Sequence, residues 1–170
     1  MPADLRLRDH APADRDGLLE VFDSNVGEFL HAEERPGFVE WLERPEGTFL
    51  TLLQGERPIG CGGYVLEQGD LRLTWGLLHR EHHGRGLGRW LLLERLCRGH
   101  AEHHPPRCTL ATTPRVEPFF AGVGFERTGF RPDGWGPGLD RVEMVLDYGG
   151  TTLEALSERR ARAALSAGGA

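Results

Sequence analysis

Hydrophobic and polar residues alternate in short runs through the first half of the chain and merge into one long apolar block near its middle. Leu5 and Leu7, with arginines between, predict a half-buried strand. Ala11-Pro12-Ala13-Asp14 leads into Gly17 to Asp23, where Leu18, Leu19, Val21 and Phe22 form a helical stripe. A second helical region is predicted from Val26 to Leu42, with Phe29, Leu30, Phe38, Trp41 and Leu42, broken by Arg35-Pro36-Gly37. Thr48 to Gln54 and Pro58 to Glu67 then read as a hairpin turning at Gly55-Glu56-Arg57.

After a turn at Gln68-Gly69-Asp70, the stretch Leu71 to Leu96 carries the organising pattern: an apolar run, a glycine turn, and an apolar segment too long for a strand. The helix is predicted from Leu87 to about His103, apolar on most faces and sandwiched against a sheet, with Pro105-Pro106 ending it. Arg107 to Thr112 is β-like, so strand, helix and strand make a crossover that sets the two strands parallel. A short helix over Glu117 to Val123 follows. Arg127 to Arg131 and Arg141 to Leu146 read as a last hairpin around the loop Pro132 to Gly138, which is either a plain tip or part of an acceptor rim near Trp135. Beyond Gly150 the composition shifts, and Thr151 to Leu165 has loose helical spacing with a charged face. Residues 1–150 are therefore expected to form one domain and 151–170 a helical extension or tail.

Glycines between a strand and a helix let backbone approach a ligand, and the helix's first unpaired N–H groups suit an anion such as phosphate. A glycine-rich turn with no ligand is the plain alternative. A Walker A loop needs Gly-Lys-Ser/Thr, and the chain contains no lysine. A dinucleotide fingerprint is also poorly matched, because counting from Gly84 gives Gly86 but then Arg89.

What remains, His83-Gly84-Arg85-Gly86-Leu87-Gly88, resembles motif A of the GNAT superfamily of acyl-coenzyme A-dependent N-acyltransferases, Gln/Arg-x-x-Gly-x-Gly/Ala, with its first position changed. Pro118-Phe119-Phe120-Ala121-Gly122-Val123-Gly124-Phe125 resembles motif B, Phe-Tyr-x-x-x-Gly-Phe. The resemblance covers roughly residues 3 to 148. It implies an α/β fold (α+β in some schemes): a mixed, mostly antiparallel sheet of six to seven strands, flanked by helices and splayed between strands four and five. It also implies an enzyme moving an acetyl group from acetyl-CoA to a primary amine, on a small-molecule acceptor, by direct attack. By the same resemblance, Leu77, Leu78, His79, His83, Gly84, Arg85, Gly86, Leu87, Gly88, Arg89, Thr113 and Phe120 would contact the cofactor.

Two further positions depart from the family. Phe120 stands where the usual tyrosine acid would be, and Thr113 where an asparagine is often seen. No carboxylate follows Asp70 on strand four, so the candidate bases are Glu28 and His79, ahead of Glu33 and Glu34. The rival reading is a domain that binds acyl-CoA as a sensor or interaction module without catalysis.

Composition adds limits. The 20 basic residues are all arginine against 26 acids, and the formal net charge of -6 argues against nucleic acid. No apolar run approaches a membrane span, and the first residues lack a signal-peptide core, so a cytoplasmic protein is expected. Cys61, Cys97 and Cys108 are expected as reduced core residues. His100 and His104 have helical metal-pair spacing, but capping at the helix C-terminus is preferred and no metal is expected. A homodimer through the last hairpin or the C-terminal helix is left open.

Overall fold

The computed structural model describes residues 4–166, so the last residues of the tail lie outside it. A seven-stranded sheet has the order β1-β2-β3-β4-β5-β7-β6. Its strands are β1 (Leu5–Asp9), β2 (Thr48–Gln54), β3 (Arg57–Glu67), β4 (Asp70–Leu78), β5 (Arg107–Thr112), β6 (Glu126–Gly136) and β7 (Leu139–Asp147). The helices are α1 (Arg15–Asn25), α2 (Arg35–Glu43), α3 (Leu87–His103), α4 (Glu117–Ala121) and α5 (Gly150–Ser166). Every pairing is antiparallel except β4 with β5, the pair joined by the α3 crossover.

Successive side chains on a strand face opposite sides, and β2 shows where each goes. Phe49 packs with Leu18 and Phe22 of α1 and Phe38 of α2, while Leu50 packs with Leu92, Leu93 and Leu96 of α3. The sheet is thereby covered on both faces. Leu156 of α5 is buried in the same cluster as the α3 leucines, and α5 packs along α3. Burial pushes the Cys61 and Cys108 thiols up to about 12, and all three cysteines are free.

Three elements differ from the sequence expectation. Pro36 lies in the first turn of α2 and opens that helix instead of breaking it, because the first turn needs no proline N–H. Residues 26–31 form an irregular loop, held by a bridge between Val26 and Leu30. The final hairpin arms run through the predicted loop and leave Pro137-Gly138 as the turn. The register skips between Arg131 and Gly136, so Pro132, Asp133, Gly134 and Trp135 are absorbed as an irregularity in β6.

The joint between β1 and α1 rests on a buried carboxylate. Arg8 grips Asp14 with two hydrogen bonds of 2.7 and 2.6 Å, and Ala11 N–H donates to the same carboxylate at 2.9 Å. Burial raises the Asp14 pKa, but the bonds from Arg8, Ala11 and Thr51 outweigh it and the net shift is downward. A depressed folded pKa gives stability that is present above the unfolded value near 3.9 and lost as pH falls through the folded one. Asp14→Asn is expected to lose about 2 kcal/mol at pH 7, the scale of hydrogen bonds to a charged group. Urea titrations at pH 7 and pH 3 test this: the gap between variant and parent should narrow at the lower pH.

Candidate functional site

The parallel pairing of β4 with β5 lasts for only two residue pairs, Leu71 with Cys108 and Arg72 with Thr109. Past Arg72 the strands diverge, and the β5-facing edge of β4 from Leu73 to Leu78 has no β5 partner. A bulge shapes this edge. Cys61 pairs with Leu77 and Gly63 with Thr74, so Trp75 and Gly76 together oppose Gly62. Trp75 has φ 28, in the left-handed region, and its ring packs on Phe38 and Phe22. Gly76 is exposed at the edge.

Behind the bulge lies a residue that the sequence reading passed over. Arg95, in the apolar run of α3, is 4% exposed. Its Nε and Nη2 donate to Gly63 O at 3.1 and 2.8 Å, and Nη2 also donates to Thr74 O at 2.7 Å. The glycines make its room: a Cβ on Gly62 would stand 2.9 Å from the guanidinium carbon, and one on Gly76 would stand 2.6 Å from Nη1. Burial lowers the Arg95 pKa to about 10, so the group stays charged at neutral pH. The available signal was Gly-Cys-Gly-Gly at 60–63 together with one cation in a leucine run, an imbalance that demands a compensating cavity.

At the open end of β4 the chain enters a 3-10 turn over Arg80–His82 and then the glycine loop. Gly84 and Gly86 have φ 75 and 78, and a Cβ on either would meet nothing within 4 Å, so the loop is left-handed backbone facing open space. Gly86 is the N-cap of α3, and Leu87 and Gly88 form its first turn. Arg85 and Arg89 are exposed beside it. A cavity of about 390 Å³ opens here, bordered by Gly86 and Arg89 and by Arg159 and Arg162 of α5.

The remaining predicted residues divide. His83 Nε2 donates to Leu78 O at 2.8 Å, and Asn25 Nδ2 donates to the same carbonyl at 3.0 Å. The Leu78 carbonyl is therefore already engaged, and Leu77 pairs with Cys61 of β3. Thr113 O accepts from Val116 and Glu117, so Thr113 shapes the entry to α4. Phe120 turns partly into the core against Phe125, and it is Phe119 that approaches the Gly88 position. Tyr64 and Tyr148 are both buried, which raises their pKa values, and neither replaces the missing phenol.

Glu28 pairs with Arg80 just after β4 and with Arg115 just after β5, the latter at 2.6 Å. The carboxylate thus ties together the two lips of the splay. Phe29 sits under both cations, with ring-to-guanidinium distances of 5.9 Å to Arg80 and 5.0 Å to Arg115. His79 caps the 3-10 turn, its Nδ1 accepting from Glu81 N–H at 3.4 Å. Trp135 Nε1 donates to Thr112 O at 3.2 Å, which pins the β6 arm to the end of β5.

At the other end of α3, His104 is the left-handed C-cap and its N–H donates to His100 O. Burial, with His104 beside it, lowers the His100 pKa, against the imidazolium expected from the helix dipole. Among the described residues no three His, Cys, Asp or Glu side chains converge as metal ligands. No helix among them is long and apolar enough to cross a membrane.

A family model described as Acetyltransferase (GNAT) family matches residues 18–125. The chain belongs to that family. Solved structures share the GNAT fold at low identity. A protein assigned to the GNAT family from Desulfovibrio desulfuricans has a TM-score of 0.74 at 18% identity, covering 85% of this chain and 99% of its own. An aminoglycoside 6'-N-acetyltransferase complexed with coenzyme A has a TM-score of 0.68 at 14% identity, covering 84% and 96%. The yncA protein of Salmonella typhimurium, solved with acetyl-CoA, has a TM-score of 0.66 at 17% identity, covering 86% and 95%. A search of curated proteins gave no match.

The carboxylate that joins the lips of this GNAT splay invites a direct check. Glu28→Gln removes the charge that holds Arg80 and Arg115, and the amides of Phe29 and Leu30, both bonded to Asn25 O, should exchange faster with solvent. Unchanged exchange at those amides would show that the loop holds its shape without the pair.

Proposed function

We propose that this GNAT domain is an N-acetyltransferase that moves the acetyl group of acetyl-CoA to a primary amine of a small-molecule acceptor. The observation that carries the reading is the meeting of an open, left-handed glycine loop with an unpaired strand edge. N–H groups of Gly84 to Gly88 fit the pyrophosphate, with Arg85 and Arg89 adding charge. The β5-facing edge of β4 past Arg72 offers backbone hydrogen bonds to the pantetheine amides, which would lie like a strand between β4 and β5. The acceptor side would be formed by the Phe29 loop and by Trp135, both at the lips of the splay.

In the reaction, the amine nitrogen bonds to the thioester carbonyl carbon and the carbon–sulfur bond then breaks. The departing thiolate takes up a proton, and the nitrogen releases one. Glu28 is engaged by two guanidiniums and His79 Nδ1 by a backbone N–H, so we route the nitrogen's proton to water in place of a directly positioned base. Water also serves the thiolate, because Phe120 has no proton to give. A coenzyme A thiol resembling a free cysteine, with a pKa near 8.5, tolerates this near neutrality. Phe120 equally favours the second reading, a domain that binds acyl-CoA without turnover.

Calorimetric titration with acetyl-CoA and with coenzyme A tests the shared premise, and saturable binding of both is expected. Gly86→Val should weaken binding by at least about tenfold, since a left-handed site costs a residue with a Cβ about 1–2 kcal/mol before any contact with the ligand is lost. Gly88→Ala, whose Cβ would make ordinary contacts at 3.9 Å, should bind as the parent does. Acetyl-CoA consumption across a panel of amines then separates enzyme from sensor.

The α5 arginines beside the same loop give an independent expectation. Replacing Arg159 and Arg162 with Gln should weaken coenzyme A binding by about tenfold, the worth of a charge-assisted hydrogen bond. Equal affinity in that variant would exclude α5 from the cofactor site.

A further inference from the structure

Arg95 is the one described side chain that brings a full charge into the middle of the sheet without a carboxylate partner. Three of its hydrogen bonds end on the backbone carbonyls of Gly63 and Thr74, which satisfy Nε and Nη2. Nη1 makes no hydrogen bond to a described residue. It lies 2.6 Å from where a Gly76 Cβ would stand, and Gly76 is exposed on the part of β4 that β5 has left. A desolvated cation is costly unless something compensates it, and here one face of the guanidinium is left to whatever enters the splay.

We propose that Arg95 is an electrostatic catalytic group: Nη1 faces the splay at Gly76 and stabilises the negative charge that develops on the thioester oxygen during acyl transfer. This rests on the acetyl-CoA reading above. The inference deepens it by assigning the oxyanion to a side chain that reaches from α3 onto the β3–β4 pair.

The chemistry needs no further reactant. As the amine nitrogen adds to the carbonyl carbon, the carbonyl π electrons move onto oxygen, and a fixed positive charge in a dry site lowers the energy of that state. When the carbon–sulfur bond breaks, the electrons return to the carbonyl. Arg95 keeps its protons throughout and acts by field and hydrogen bond alone. The bulge at Trp75 and Gly76 gives it access, and Gly62 and Gly76 give it room: a side chain at either position would push the guanidinium away.

The test reads the carbonyl directly and needs no known acceptor. Acetyl-CoA labelled with ¹³C at the thioester carbonyl is titrated into the wild type, Arg95→Met and Arg95→Lys, with the ¹³C resonance followed alongside calorimetric affinity. A polarised carbonyl carbon resonates downfield of the free thioester. The expected result is a downfield displacement in the wild type, its loss in Arg95→Met with affinity preserved, and its partial return in Arg95→Lys. Gly76→Ala, which keeps Arg95 but crowds Nη1, should reduce the displacement too.

If the bound wild-type resonance sits at the free position, Arg95 does not polarise the carbonyl and the proposal is overturned while cofactor binding stands. If Arg95→Met keeps the displacement, backbone donors alone are responsible and the proposal fails. If Arg95→Met does not fold, the wild-type displacement and its reduction in Gly76→Ala decide the matter. Failure of the wild type to bind acetyl-CoA removes the functional reading itself, a result distinct from binding without displacement.

Discussion

The two-pair contact between β4 and β5 is the constraint on which the site depends. A parallel pair joined by a helix would ordinarily zip along its length, since each added pair satisfies backbone groups that are otherwise left to solvent. Here zipping stops at Arg72 and Thr109. The reason lies in β4, where Trp75 and Gly76 are an extra residue against Gly62 and twist the strand away from its neighbour. Without that irregularity the edge of β4 would be covered by β5, and the glycine loop would border a closed sheet.

The same bulge accounts for the composition of its surroundings. β3 carries Gly60, Gly62 and Gly63 where a covered strand would normally gain stability from β-branched side chains. Their absence leaves space on the α3 face of the sheet, and Arg95 fills it, binding one carbonyl on each strand of the β3–β4 pair. The guanidinium thus staples the two strands at the point where their ladder is interrupted. Its hydrogen bonds to the two strands compensate the burial, which is how a charge can sit among Leu92, Leu93 and Leu96 without unravelling the core.

Much of this frame was legible in the sequence because it rests on local signals. The limits of α3 follow from Gly86 before it and Pro105 after it, and β2 and β5 from short β-prone runs bounded by turn residues. The loop was readable because Gly84 and Gly86 occupy left-handed backbone, a demand that falls on single residues. Errors came where one residue type serves two purposes. Pro36 can end a helix or start one, and Pro132 with Gly134 can form a loop or ride in a bulged strand. Which applies depends on partners distant in sequence.

The side chains around the splay were harder to read for the same reason. Glu28 is named by its position beside an acceptor region, yet its behaviour is set by Arg80 and Arg115, 52 and 87 positions away, and the pairing makes it a tie across the lips. Arg95 looked like an interruption in an apolar helix because its compensation lies on two strands more than 20 residues upstream. The general lesson is physical. A charge in an apolar run and glycines in a buried strand are each unfavourable alone, and a sequence carrying both within reach of one fold invites the inference that they cancel. Testing such pairs for mutual compensation is a way to find buried cations that no short motif announces.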